Sequence, residues 1–342
     1  MLKELALKWF QKNQYNTKAL HRIVKVINPL LYLATPVVYI SSKLSTKYYP
    51  HKFNNGLFRG THLLPKLHLY DFLTPNTQDQ NGFIDTDHCD ATLFSGLLSA
   101  TGYGKEVNMS AAKNDKNQWF RRPLNYPPCY IPGKKSSTIS RDMMMGVFWS
   151  SWKNKHIGNS YLTYLYGSQN DWVMGEGDIS RIYLTPGLRS TLVLIIEKTM
   201  PEISINHLEK YFPQSWPKGL EDYEAHLAML HIELRGQLNG YIDSDMRSCL
   251  IDIADRMHNN ALAQLLYAKW VTGDFGWTIA LLGGESIWPT HRLPTSHDRR
   301  ESWITQRGDD SNGWLPAEGL DTKTHSGGDF LFCMMLLIGD PK

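Results

Sequence analysis

The stretch with the densest reactive chemistry is Gly82–Asp90, GFIDTDHCD, which sets Asp85, Asp87, His88, Cys89 and Asp90 within six residues. Like charges repel, and burying them is costly, so carboxylates crowded this closely point to a use. Glycoside hydrolysis is one such use. It needs a protonated and an ionised carboxyl facing each other across the scissile bond, and crowding raises one pKa to supply the acid. Asp87 and Asp90 are three apart at a predicted helix start, where they share a face and the helix N-terminus favours their charge. Two other readings fit the same residues. The oxygens could hold a Ca²⁺ or Mg²⁺ ion, or Asp90 could be an N-cap while its neighbours close a turn.

Other polar knots follow along the chain. Ser136–Asp142, SSTISRD, ends on a predicted N-cap at Ser140, with Arg141 and Asp142 opening a helix. Trp119–Pro123, WFRRP, sets Arg121 and Arg122 beside aromatics, a pattern that could clamp a carboxylate and stack a ring, or form surface ion pairs. Gly175–Arg181, GEGDISR, reads as a turn rather than a phosphate loop, because GxGxxG is incomplete. The region 288–329 carries His291, His297, Asp298, Trp303, Trp314, His325 and Asp329 in one long loop. Loops of that length are functional or disordered, and the tryptophans argue against disorder. Its histidine spacings match no zinc pattern, and the absence of GxSxG argues against a serine hydrolase.

Positioning these groups requires a scaffold, and the scaffold reads as mainly α. Apolar periodicity predicts helices over 91–100, 140–153, 187–199, 221–239, 244–257 and 260–272, with a last buried helix over 329–339. Leu227, Leu230, Leu234 and Leu238 make the clearest stripe. Strand signals are weak, and short strands are left open only in 110–135 and 274–290. The chain of 342 residues is 42% hydrophobic, enough for a substantial core. Its four cysteines have no short spacing and indicate neither a zinc knuckle nor a disulfide framework.

Charge divides the chain in two. Residues 1–58 hold nine Lys or Arg and one acid, a net +8, whereas the remaining 27 basic and 32 acidic residues give −5. The first part reads as a basic amphipathic arm with helices over 2–12 and 18–28. The second, 59–342, reads as a helical catalytic-type body. Ile27–Ile40 is apolar but broken by Pro29 and Pro36, too short for a spanning helix. The arm suits an anionic membrane surface, such as an envelope, or a larger protein assembly. Nucleic acid is not expected, because the basic residues interleave with an apolar stripe.

Helices alternating with polar, aromatic loops over residues 60–340 resemble the (α/α) toroids, in which helical hairpins ring a cleft. Glycoside hydrolases and polysaccharide lyases use that fold. The resemblance implies a glycan-active enzyme with acids and aromatics at the helix starts. On this reading Asp87 or Asp90 is the general acid or base and Asp142 its partner. Asp85, His88, Asp298, His325 and Asp329 line the cleft, Arg121, Arg122 and Arg141 hold an acidic sugar, and Trp119, Trp303 and Trp314 stack rings. No cofactor or resident metal is expected, although the divalent-cation reading of 85–90 gives a metal-dependent hydrolase as an alternative. A non-enzymatic phage or secretion-system component is the other alternative, since interface cores also favour Trp, Tyr and Arg.

Overall fold

The computed structural model describes residues 67, 71, 74–76, 78–84, 90–127, 129, 137–154, 157–205, 216–220, 222–258, 260–283 and 328–338. The arm 1–58 lies outside the described residues, as do Asp85, Asp87, His88, Asp298, Trp303, Trp314 and His325.

The body is mainly helical. In chain order come α1 (Ala91–Thr101), α2 (Arg141–Asn154), α3 (Ile157–Gln169), β1 (Val173–Glu176), β2 (Arg181–Tyr183), α4 (Pro186–Thr199), α5 (Asp222–Asn239), α6 (Ser244–Arg256), α7 (Ala261–Tyr267), α8 (Gly276–Gly283) and α9 (Gly328–Ile338). Local chemistry sets several boundaries. Thr185 Oγ1 accepts from Leu188 N–H with Pro186 at the first helical position, Asp243 caps α6 through Met246 N–H, and Asn260 caps α7 through Ala263 N–H. Gly102 ends α1 in the left-handed region at φ 72°. A π-helical turn, Ala268–Thr272, extends α7.

The centre of the core is α1, every residue of which is buried. It packs against α2 at backbone distance: a Cβ on Gly96 would lie 2.3 Å from the Gly146 carbonyl oxygen, and one on Gly146 2.6 Å from that of Leu93. Three residues beyond Gly96, Ser99 Oγ bonds Ser150 Oγ at 2.9 Å. Contacts advance in the same direction along both helices, so α1 and α2 run parallel with their N-termini at one end. The apolar helix α9 covers α1, and its Phe332 ring meets Trp149 of α2 edge-on at 5.0 Å.

The expected helices of the body are present within a residue or two; the two expected in the arm lie outside the described residues. Three features differ. Residues 157–169 form a helix that apolar periodicity does not announce, because its polar and aromatic positions are mixed. Residues 276–283 are helical where the sequence leaves a short strand open; the run WTIALL is apolar on all sides, so period 2 and period 3.6 cannot be told apart. The antiparallel hairpin β1–β2 forms at 173–183 instead of in 110–135, where Lys113 and Trp119 make an isolated bridge. A fourth correction concerns sulfur. Cys129 is disulfide-bonded, to a partner outside the described residues, whereas Cys249 and Cys333 are buried and form no disulfide. Sequence spacing does not reveal a single long-range bridge.

Candidate functional site

The N-terminal ends of α1 and α2 bring two of the expected carboxylates to one end of the body. Asp90 is the residue before α1, yet its side chain does not cap the helix. Instead Asp90 Oδ1 pairs with Arg121 Nη1 at 3.5 Å, and the residue is 5% exposed. Arg121 is held from several sides. Its Nη2 donates to Ser137 Oγ at 2.7 Å and its Nε to the Ser137 carbonyl. Its backbone N–H donates to Thr138 O at 3.0 Å, while its own carbonyl accepts from Thr92 N–H at 2.9 Å.

Ser137–Ser140 then carries the network to α2. Asp142, in the first turn of α2 and 8% exposed, accepts from the Ser140 hydroxyl. Both acids thus lie where helix dipoles favour negative charge, with an arginine between the segments that carry them. Thr138 stitches the β hairpin to the same place: its N–H donates to Glu176 O at 2.8 Å, and its hydroxyl accepts from Glu176 N–H at 2.9 Å. A Cβ on Gly175 would lie 2.5 Å from Ile139, so this approach needs glycine. Glu176 itself is exposed at the end of β1, beside the turn 177–180.

The approach to the acidic loop is fixed as well. Gly82 has φ 78°, and a Cβ there would lie 2.0 Å from Glu106 O. Ile84 N–H donates to Ser95 Oγ at 3.0 Å, tying the chain before Asp85 to α1.

Other expected members disperse. Trp119 has no free face: it is 0% exposed, and its indole N–H donates to Thr163 Oγ1 at 2.9 Å. It is a core residue rather than a stacking platform. Arg121 and Arg122 do not form one clamp, because their guanidinium groups engage different partners. Arg122 lies over Tyr126 at 5.0 Å and donates to Cys129 Sγ. Arg141 is exposed, and its Nε donates to Tyr183 O at 3.2 Å, at the base of α4. Asp329 falls in the first turn of α9. No three His, Cys, Asp or Glu side chains among the described residues group as metal ligands, and no described helix is long and apolar enough to cross a membrane.

A second polar concentration lies inside α5, where a leucine stripe was expected to dominate. Glu233 is fully buried and saturated: Lys269 Nζ, Trp270 Nε1 (2.6 Å) and Gln237 Nε2 (2.7 Å) all donate to it. Lys269 and Trp270 are consecutive, and the π turn holds both against one carboxylate. His231 Nε2 meets Thr191 Oγ1 at 2.5 Å, with Trp216 packed at 5.0 Å. His226 is fully buried, and neither ring nitrogen has a hydrogen-bond partner. Burial lowers both histidines to about 3, for His231 with help from Arg235 and against a Gly187 backbone bond. The spacing offers a signal for this cluster. His226, Glu233 and Gln237 are separated by seven and four, and His231 and Arg235 by four, so polar residues recur at helical spacing inside an apolar run.

Comparison of the chain with protein-family models, with curated proteins and with solved structures gives no match.

Proposed function

We propose that this chain is a glycan-active enzyme, a hydrolase or lyase, whose described carboxylates are Asp90 and Asp142, carried by an (α/α)-toroid-like body. The observation behind this reading is the parallel pairing of α1 and α2, which sets two buried acids at neighbouring helix N-termini and ties the segments bearing them through Arg121, Ser137 and Ser140. Asp90, ion-paired to Arg121, serves as general acid or base, and Asp142 is its partner across the scissile bond. Arg141, exposed next to Asp142, faces the incoming glycan. The basic arm 1–58 tethers the body to an anionic envelope surface or an assembly.

A panel of neutral and uronate-containing polysaccharides, assayed with wild type, Asp90→Asn and Asp142→Asn, tests this. Each variant should lose activity by about 10²–10⁴-fold while its far-ultraviolet circular dichroism is kept. Unsaturated products would indicate elimination, and saturated ones hydrolysis. A wild type that cleaves nothing, or variants as active as wild type, would sink the reading.

A further inference from the structure

Arg235, on α5, is a partly buried cation that forms no ion pair among the described residues. Its Nη1 donates to Ser190 Oγ at 3.3 Å and to Thr191 Oγ1 at 3.2 Å, both on α4. Its Nε–H is buried and has no acceptor. Among the described residues no carboxylate forms an ion pair with it. Asp243 is near enough for its charge to be felt, as is Tyr241, but the Asp243 carboxylate accepts from Met246 N–H at 2.8 Å and caps α6. Buried charges are normally paired, so this arrangement lacks a partner.

The way Arg235 is held indicates what the partner should be. A guanidinium presents a side-on edge, Nε–H with one Nη2–H, matched to the two oxygens of a carboxylate. Here Nη1, the group outside that edge, is the one held by α4. Thr191 Oγ1 is fixed in turn, since it donates to Gly187 O at 3.0 Å and so accepts from Arg235 and His231. Nη1 is held, Nε–H is left without an acceptor among the described residues, and Arg235 as a whole is only partly buried, so part of the side chain reaches the surface.

We propose that the seam between α4 and α5 is an oxyanion-binding site in which the Nε–Nη2 edge of Arg235 takes the carboxylate of a small acidic ligand. The site is separate from the Asp90–Asp142 pair and does not depend on the activity proposed for it.

The Nε–H resonance of Arg235 is the direct reporter, because burial slows its exchange with water. It is assigned in the full-length chain by its loss in Arg235→Lys. Sodium acetate, sodium glucuronate and sodium phosphate are titrated separately at pH 7 and constant ionic strength, with chloride as control. A saturable shift with acetate or glucuronate is expected, and one with phosphate alone would assign the site to tetrahedral oxyanions. Thermal-shift titration should show about tenfold weaker binding in Arg235→Lys, which keeps the charge but loses the fork. Should Arg235→Lys fail to fold, Ser190→Ala, which removes one prop, is expected to weaken binding in the same assay. No saturable shift with any of the three anions, or equal affinity in wild type and variants, would overturn the proposal.

Discussion

His226 shows how one side chain can govern the response of the protein to acid. A fully buried imidazole with no hydrogen-bond partner stays neutral in the folded state, at about 3, while the unfolded chain titrates near 6.5. His231 behaves the same way. Because the folded values lie below the unfolded ones, the unfolded state takes up protons first as pH falls. Stability is therefore complete above about 6.5 and is lost progressively towards 3, with a slope approaching about 1.4 kcal/mol per pH unit for each histidine. Urea melts at pH 7.5, 6.5 and 5.5 should show this decline. His226→Leu should roughly halve the slope and raise stability at pH 5.5 by about 1–2 kcal/mol, since it removes an unsatisfied buried polar group. An unchanged slope in that variant would contradict the assignment.

At the scale of elements, the Gly96–Gly146 contact makes the α1–α2 pair possible. Gly146→Ala would drive a methyl group into the Thr92 and Leu93 carbonyls, each 2.6 Å away, with backbone rather than a flexible side chain in its path. A cost of about 2–3 kcal/mol is expected in thermal or denaturant melts. Because the acids sit at the ends of the same two helices, the glycan turnover proposed above should fall with it even at temperatures where the variant stays folded. Much of this level was legible in the sequence. Apolar runs such as ATLFSGLLSA and DFLFCMMLLIG predicted helices close to their observed bounds, whereas the caps at Thr185 and Asp243 were not singled out. Asp90 and Asp142 were legible as helix-start acids. Their shared end was not, because the parallel course of α1 and α2 depends on two glycines that read locally as helix weakeners. Trp119 was misread for a related reason: an aromatic next to arginines looks like a binding surface, and only the Thr163 hydroxyl shows that its N–H is satisfied in the core. The α5 cluster was hidden by the leucines around it.

For the whole molecule, the disulfide at Cys129 ties the connection between α1 and α2 to another cysteine of the chain. Such bridges typically add about 2–4 kcal/mol by restricting the unfolded ensemble. Reduction, or Cys129→Ser, should therefore lower the melting temperature by several degrees. Arg122 donates to the same sulfur, and its neighbour Arg121 holds Asp90, so the activity assay should weaken in parallel. Equal melting curves with and without reductant would show that the bridge contributes nothing to stability.

The parallel course of α1 and α2 also bears on the order in which the protein folds. Helices that run the same way cannot be joined by a tight turn. The connection between them must return along the length of the pair before Arg121 reaches Asp90 and α2 begins at the same end. That closure brings together partners far apart in sequence and carries the entropy of a long loop. Local helices form early, and the end bearing the acids is completed late, so a nascent chain would hold its helices before it held its chemistry.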